Sequence, residues 1–219
     1  MKRLLLVFLA ACFLLSGCSS WEAYEESAAA EVTEAASASV IYPLPDTTME
    51  DLDDAILSVS LEEGDAYVDD TGIMRMDVTV YSYDKYDMVD ISALKVGDVL
   101  VTHEGEVEIA ALAREENGTV LINGGLDEEG FDLVTDETGI YFVRGYNDGK
   151  SWHEVGEATI RVSVDFLYYD TSDPEKGEIL YYPGSFLIGE VTDYNFTPYN
   201  TTIRVENSQI VEMYRVYIP

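Results

Sequence analysis

The chain contains 219 residues, of which 43 are acidic and 12 basic, and its net charge at pH 7 is −31. Nucleic acids and anionic lipid surfaces bind clustered Lys and Arg, so this composition argues against both as partners. The length allows a folded domain with its own hydrophobic core. Only two cysteines are present, Cys12 and Cys18, and their position near the N-terminus predicts no disulfide in that domain.

The first 20 residues have the parts of a secretory signal. Lys2 and Arg3 are positively charged, residues 4–15 are apolar, and small residues surround Cys18. The apolar run has about a dozen residues, whereas a helix that spans a membrane needs about 20. Leu15-Ser16-Gly17-Cys18 resembles the lipobox of bacterial lipoproteins.

This resemblance implies how the chain is processed. The thiol of Cys18 would receive a diacylglycerol, and a peptidase would cut between Gly17 and Cys18, removing residues 1–17. Two acyl chains are enough for stable anchoring in a membrane. We therefore expect an extracytoplasmic protein, lipid-anchored to the cell membrane, or to the outer membrane in a cell with two membranes. The alternative is an ordinary signal peptide with an unmodified cysteine.

Residues 18–45 are predicted to form a flexible tether. They consist largely of Ala, Ser, Thr and Glu, and the glutamates have no Lys or Arg to pair with. A transient helix over residues 23–36 is the alternative interpretation. We expect residues 46–219 to form a single β-rich domain.

Apolar residues in this domain recur with a period of two, which is typical of strands with one buried face. Turn sequences such as Asn117-Gly118 separate these segments. The pattern predicts a mostly β fold, an antiparallel β-sandwich or a barrel-like domain with one or two short helices. The alternating segments are residues 74–80, 106–111, 160–166 and 203–205.

Three local features are predicted beside these strands. Short helices are expected over residues 48–56 and 87–94. Residues 166–169 and 179–182 have similar sequences and could be the two arms of a hairpin. In the segment Leu94-Lys95-Val96-Gly97-Asp98, Gly97 and Asp98 suit a turn that leads into a strand, with Leu94 and Val96 packed beneath it.

The sequence contains no complete catalytic or metal-binding motif. His103 precedes Glu104 and Gly105, which indicates an exposed turn. His153-Glu154 begins like the zinc-protease motif, but Glu157 stands where the second histidine is required. The sequence therefore predicts no catalytic residue, no cofactor and no transition-metal site. Weak calcium binding by acidic loops is a further hypothesis, because calcium prefers oxygen ligands. The candidate loops are residues 69–70, 127–130 and 170–173.

Aromatic residues provide the candidate ligand-binding surface. Tyr and Trp combine a flat apolar area with a polar edge, which suits glycan or protein recognition. The alternative is that these residues simply pack in strands. The candidates are Trp152, Tyr168, Tyr169, Tyr181 and Tyr182.

Together these features predict a membrane-anchored, non-catalytic domain that binds a ligand or serves the cell envelope. The alternative from another class is an envelope or glycan hydrolase, since glycoside hydrolysis requires only two carboxylates at a defined separation. No pair of acids stands in an apolar sequence context that would raise one pKa, so no catalytic pair is assigned.

Overall fold

The computed structural model describes residues 37–145 and 149–218, and the predicted signal, Cys18 and most of the predicted tether lie outside this range. The described residues form mostly strands, which confirms the predicted all-β class. No helix among them has the length and apolar character needed to cross a membrane.

The strands are numbered β1 to β15 in chain order. They are β1 Val40–Ile41, β2 Ala55–Ser60, β3 Ala66–Val68, β4 Met74–Ser82, β5 Lys85–Tyr86, β6 Val99–Thr102, β7 Gly105–Glu108, β8 Leu112–Arg114, β9 Val120–Ile122, β10 Phe131–Thr135, β11 Tyr141–Val143, β12 His153–Thr171, β13 Ile179–Tyr181, β14 Thr201–Glu206 and β15 Gln209–Val216. The helical elements are α1 Met88–Ala93, a 3-10 turn Leu126–Glu128, and α2 Pro183–Leu187.

Five strands close into a barrel. Strands β14, β2, β4 and β12 lie side by side in antiparallel pairs, which is the Greek-key order. Strand β15 then pairs with β14 and runs parallel to β12, and this closes the sheet. Closure depends on the length of β12, whose first half pairs with β4 and whose second half pairs with β15. A five-stranded Greek-key barrel is the architecture of the OB fold.

The barrel core explains the period of two in the sequence. Along β4, Met76, Val78 and Val80 are buried, because alternate side chains of a strand point to the same face. Phe166 is fully buried on β12, and Phe186 of α2 packs against it. Helix α2, which follows β13, thus covers part of the barrel core.

The segment between β4 and β12, residues 83–152, has a second hydrophobic core and is called the insert below. Strands β6 and β7 form one small sheet together with β1, and β5, β11, β10, β9 and β8 form another. Tyr86, Ile91 and Leu133 are fully buried between them. The folded unit as a whole begins at Ser37.

The local predictions have mixed outcomes. Helix α1 is confirmed, with Asp87 as its N-cap accepting a hydrogen bond from the backbone N–H of Val89. The hairpin is confirmed as well, since β12 and β13 pair with Tyr168 opposite Tyr181. The helix over residues 48–56 is wrong, because that segment consists of turns followed by the start of β2.

The predicted boundary of the tether at residue 45 is also displaced. Val40 and Ile41 form β1, which pairs with β6, and Ile41 is buried in the second core. The backbone N–H of Leu44 donates a hydrogen bond to the carbonyl of Lys85. These contacts join residues 39–44 to the insert, which lies far along the chain, and they hold these residues in the folded unit.

Candidate metal centre

Three side chains that can each offer a metal-ligand atom lie close together where the insert joins the barrel. Asp84 lies between β4 and β5, at the point where the chain leaves the barrel, and His153 begins β12, where the chain returns. His153 pairs in register with Ser82, so the β4–β12 ladder fixes both ends of the insert together. His103 lies in the tight turn between β6 and β7. We call Asp84, His103 and His153 the His–Asp cluster.

The geometry of the His–Asp cluster is close. One ligand atom from each residue lies within 4.8 Å of the other two. The rings of His103 and His153 are stacked, with centroids 4.2 Å apart and planes inclined by 17°. A tetrahedral zinc ion with bonds of about 2.1 Å places its ligand atoms about 3.4 Å apart. The side chains would have to approach one another and the rings to turn out of their stacked arrangement before one ion could be coordinated by all three residues.

Asp84 fixes the position and tautomer of His103. Its Oδ2 accepts hydrogen bonds from the backbone N–H of His103 at 3.0 Å and from Nδ1 at 2.8 Å. Because a carboxylate can only accept, Nδ1 carries the proton and Nε2 of the neutral ring keeps its lone pair. Asp84 is 6 % exposed, so this charge is held in the protein rather than in bulk water.

His153 supplies an unsatisfied ligand atom. Its Nδ1 is buried and has no hydrogen-bond partner, which is unusual for a buried polar atom. Burial and the neighbouring His103 lower the pKa of His153, although nearby Asp84 and Asp46 act in the opposite direction. The net lowering keeps the ring neutral at neutral pH, and the neutral ring is the form that binds metals.

Asp46 and Lys85 form the border of the His–Asp cluster. Asp46 Oδ2 lies 3.9 Å from Nε2 of His153, which is too long for a hydrogen bond. The other oxygen of Asp46 accepts a hydrogen bond from the hydroxyl of Ser82 and lies 3.2 Å from Nζ of Lys85. Asp46 is therefore already paired, and it places a partly neutralised charge beside the two imidazoles.

The chemistry of these ligands favours a transition metal. Two imidazoles and one carboxylate suit zinc and its neighbours, whereas calcium and magnesium prefer oxygen ligands alone. Three protein ligands are the number found in zinc sites that keep a fourth position for water or substrate. The His–Asp cluster is thus able to hold a divalent transition metal with one position left open.

Trp152, a predicted ligand-binding residue, lies beside the His–Asp cluster. Its indole packs edge-on against the ring of Tyr83, with centroids 5.0 Å apart. Nζ of Lys150 lies 4.0 Å from the centroid of the Tyr83 ring. Tyr83 directly precedes Asp84, and Trp152 directly precedes His153. The aromatic pair therefore lies next to the His–Asp cluster in both segments of the chain.

The four predicted tyrosines lie towards the other end of β12 and do not share one surface. Tyr168 is fully buried, stacked on Tyr181 in the barrel core. Tyr169 points to the opposite face, where it stacks on Tyr214. Tyr182 is largely exposed just before α2. Tyr168 and Tyr169 therefore point to opposite faces of β12, and the buried position of Tyr168 is explained by core packing.

Two of the predicted calcium loops have carboxylates that are engaged elsewhere. Asp69 forms an ion pair with Arg75 and accepts a hydrogen bond from the hydroxyl of Thr71. Asp170 forms a buried ion pair with Arg215. In the third loop, Asp127 and Glu128 lie in the 3-10 turn. Among the described residues, none of these loops contains a group of three or more acidic side chains whose oxygen atoms lie close enough to hold one ion, and calcium binding remains a hypothesis.

The His–Asp cluster was not predicted from the sequence, because its formation does not depend on local spacing. His103 and His153 are 50 residues apart, and only the pairing of β4 with β12 and the position of the β6–β7 turn bring their rings together. The one signal in the sequence was the small number of histidines, since the chain has two in all.

Fold and cluster together define only a class, a Greek-key β-barrel with an insert and a His–Asp cluster at their junction. No protein-family model matches the chain, and no curated protein or solved structure matches it significantly. Barrels of this architecture serve many functions, so the fold alone does not assign a function. The His–Asp cluster is the feature of this molecule from which a function can be inferred.

Proposed function

We propose that this chain is a lipid-anchored, extracytoplasmic domain that binds a divalent transition metal ion, with Zn²⁺ as the preferred ion. The convergence of both histidines with the buried Asp84 is the observation that carries the metal-binding part. The resemblance of residues 15–18 to a lipobox supports the anchoring part. The predicted binding role is retained in this proposal, with a metal ion as the ligand.

Two contacts support the site. Asp84 Oδ2 accepts the hydrogen bond from Nδ1 of His103 and so holds the carboxylate against this ring. Because Asp84 is counted as a metal ligand, this hydrogen bond would be exchanged for coordination when the ion binds. Coordination would also give the buried Nδ1 of His153 a partner, which favours the bound state.

Isothermal titration with Zn²⁺, on the domain starting at Ser37, tests this proposal. We expect one high-affinity site in the wild-type protein, and a loss of affinity of more than about 100-fold in His103→Ala and His153→Ala, because each removes a ligand. Co²⁺ should give a visible absorption band typical of tetrahedral coordination. Trp152 adjoins His153, so its fluorescence should change on addition of metal.

A matched control separates the site from the general acidity of the chain. Asp136→Asn removes a carboxylate of the insert that bonds Thr138 in a turn remote in sequence from the cluster, and it should leave the Zn²⁺ affinity unchanged. Equal losses in Asp136→Asn and the histidine variants would indicate diffuse electrostatic binding. Unchanged affinity in both histidine variants would disprove the site.

The anchoring part has its own prediction. Replacing Cys18 with Ser removes the thiol that would be acylated, so the protein should move from the membrane fraction to the soluble fraction of cells that secrete it. Cys12→Ser is the matched control, because residues 1–17 are expected to be removed and this change should leave the protein with the membrane. Retention of the Cys18→Ser protein in the membrane fraction would contradict the anchor.

The alternative of a two-carboxylate hydrolase gains no support from the described residues. A general acid requires a carboxyl group whose pKa is raised. The carboxylates whose pKa clearly departs from its ordinary value all have it lowered, by hydrogen bonds or by paired cations. They are Asp53, Asp69, Asp136, Asp170, Asp173 and Glu212.

A further inference from the structure

A cavity of about 330 Å³ opens directly beside the His–Asp cluster, and Asp84 and His103 form part of its wall. This volume lies within the range of small-molecule sites, about 300–1,000 Å³. We call it the junction cavity. All lining residues belong to the insert, and β6 and β7, which position His103, contribute Thr102 and Val107 to the wall.

Four residues contribute apolar surface to the junction cavity and are called its apolar wall below. They come from four separate elements of the insert, namely Val107, Leu126, Phe131 and Val143. Leu126 is 52 % exposed, which is high for a large apolar residue that lines a concave surface. Burying such a side chain against a ligand is favourable because it removes apolar area from water.

Polar residues make up the larger part of the wall of the junction cavity, among them Asp84, His103, Glu104, Glu129 and Arg144. Arg144 is paired with Asp132, at 3.3 Å. Glu104 is strongly exposed, and its Oε1 lies 3.9 Å from Nε2 of His103. Glu129 also belongs to the wall. A small-molecule site commonly combines apolar area with polar groups that fix the orientation of the ligand.

Charge limits the kind of ligand. A divalent ion held by Asp84 and two neutral imidazoles would keep one net positive charge, which attracts a single negative donor atom. Glu104 and Glu129 would repel a second negative charge on the same molecule. The ligand that fits is therefore a monoanion with an apolar body.

We propose that the junction cavity binds small monoanionic metal ligands with an apolar body, of the aryl or alkyl carboxylate or hydroxamate kind, with the anionic oxygen on the metal and the body against the apolar wall. This inference rests on the proposed function, since it requires the metal. It goes further by assigning the open coordination position to a defined class of ligand.

Two hydroxamates that differ only in the apolar body test the inference. The Co²⁺-loaded domain is titrated with benzohydroxamate and with acetohydroxamate, and binding is followed by the change in the cobalt absorption band. We expect benzohydroxamate to bind about tenfold more tightly, because its ring buries apolar area that the methyl group does not.

Variants of the apolar wall locate the effect. Leu126→Gln and Val107→Gln should reduce the preference for benzohydroxamate to nearly none, while Co²⁺ itself binds as in the wild type. Leu180→Gln is the matched control, since Leu180 is an exposed leucine on β13 outside the cavity, and it should keep the preference.

The possible failures are distinguishable. If no cobalt band appears, both the metal site and the cavity ligand are disproved. If the cobalt band appears but the two hydroxamates bind equally, the metal site stands and the junction cavity has no role in ligand choice. A preference that persists in both wall variants would place the aromatic body elsewhere and overturn the inference.

Discussion

Asp170→Asn is expected to lower the free energy of unfolding by about 3–5 kcal/mol, the usual effect of removing one partner from a buried ion pair. Arg215 and Asp170 are paired through two hydrogen bonds, from Nε to Oδ1 at 3.1 Å and from Nη2 to Oδ2 at 2.7 Å. Their side chains are 4 % and 8 % exposed. The asparagine would leave the guanidinium buried with only Asp193 as an opposing charge.

The same pair makes stability depend on pH in a defined direction. Burial by itself raises the pKa of Asp170, but hydrogen bonds from Arg215 and Ser172 outweigh this effect and hold the pKa below its ordinary value of 3.8. A lowered pKa in the folded state stabilises the fold above the unfolded-state pKa, and that contribution is lost as the pH falls through the folded-state pKa. The difference between the wild type and Asp170→Asn should therefore be constant from pH 5 to 7 and shrink below about pH 4.

Urea-induced unfolding at several pH values, followed by circular dichroism, measures this difference. Asp173→Asn is the matched control, because Asp173 forms an exposed ion pair with Lys176 in the following turn, and surface pairs contribute little. Similar destabilisation by both variants, or a difference that does not change below pH 4, would contradict the assigned role of the Asp170–Arg215 pair.

Phe166→Ala is expected to destabilise the protein by about 3–5 kcal/mol, because it removes a fully buried ring and leaves a cavity in the barrel core. Phe166 lies on β12, the strand that closes the barrel, and its ring is 6.2 Å from that of Phe186 on α2. The substitution thus weakens the contact between the barrel and its covering helix at the same time.

Phe166→Leu is the control for this variant, since it retains most of the apolar volume and should cost clearly less. Hydrogen exchange adds a second measurement. Amides of β2, β4 and β12 should lose more protection than those of β9 and β10, because the insert has a separate core that includes Ile122 and Leu133. A loss of less than about 1 kcal/mol in Phe166→Ala would show that the core tolerates the cavity.

Features that depend on neighbouring residues were predictable from the sequence. The alternation of Met76, Val78 and Val80 with polar residues specified β4, because a strand with one buried face requires it. Asp87 specified the start of α1, because its carboxylate can accept the hydrogen bond that a first helical turn leaves open. The turn at Gly97 is confirmed by a φ of 93°, although Val96, expected to pack beneath it, is 60 % exposed.

The roles of some buried polar residues could not be predicted from their neighbours in the sequence. Asp98 was predicted as a turn residue, but its carboxylate is buried and accepts hydrogen bonds from the backbone N–H groups of Ser39 and Lys95. Ser39 lies 59 positions away in the chain. Arg215 lies on β15, which the sequence did not predict as a strand, and only the parallel pairing of β15 with β12 places it opposite Asp170.

The sequence by itself determined that the chain is acidic and mostly β, and it predicted a lipid anchor at Cys18, because charge, period and motif are local properties of the chain. The tertiary structure decided that the strands close into one barrel, that residues 83–152 form an insert with its own core, and that His103 and His153 meet beside Asp84. The reason is physical: pairing of β4 with β12 brings distant residues together, and no local pattern records that register. The candidate metal centre therefore arises from strand pairing, with the ligands supplied by the only two histidines of the chain.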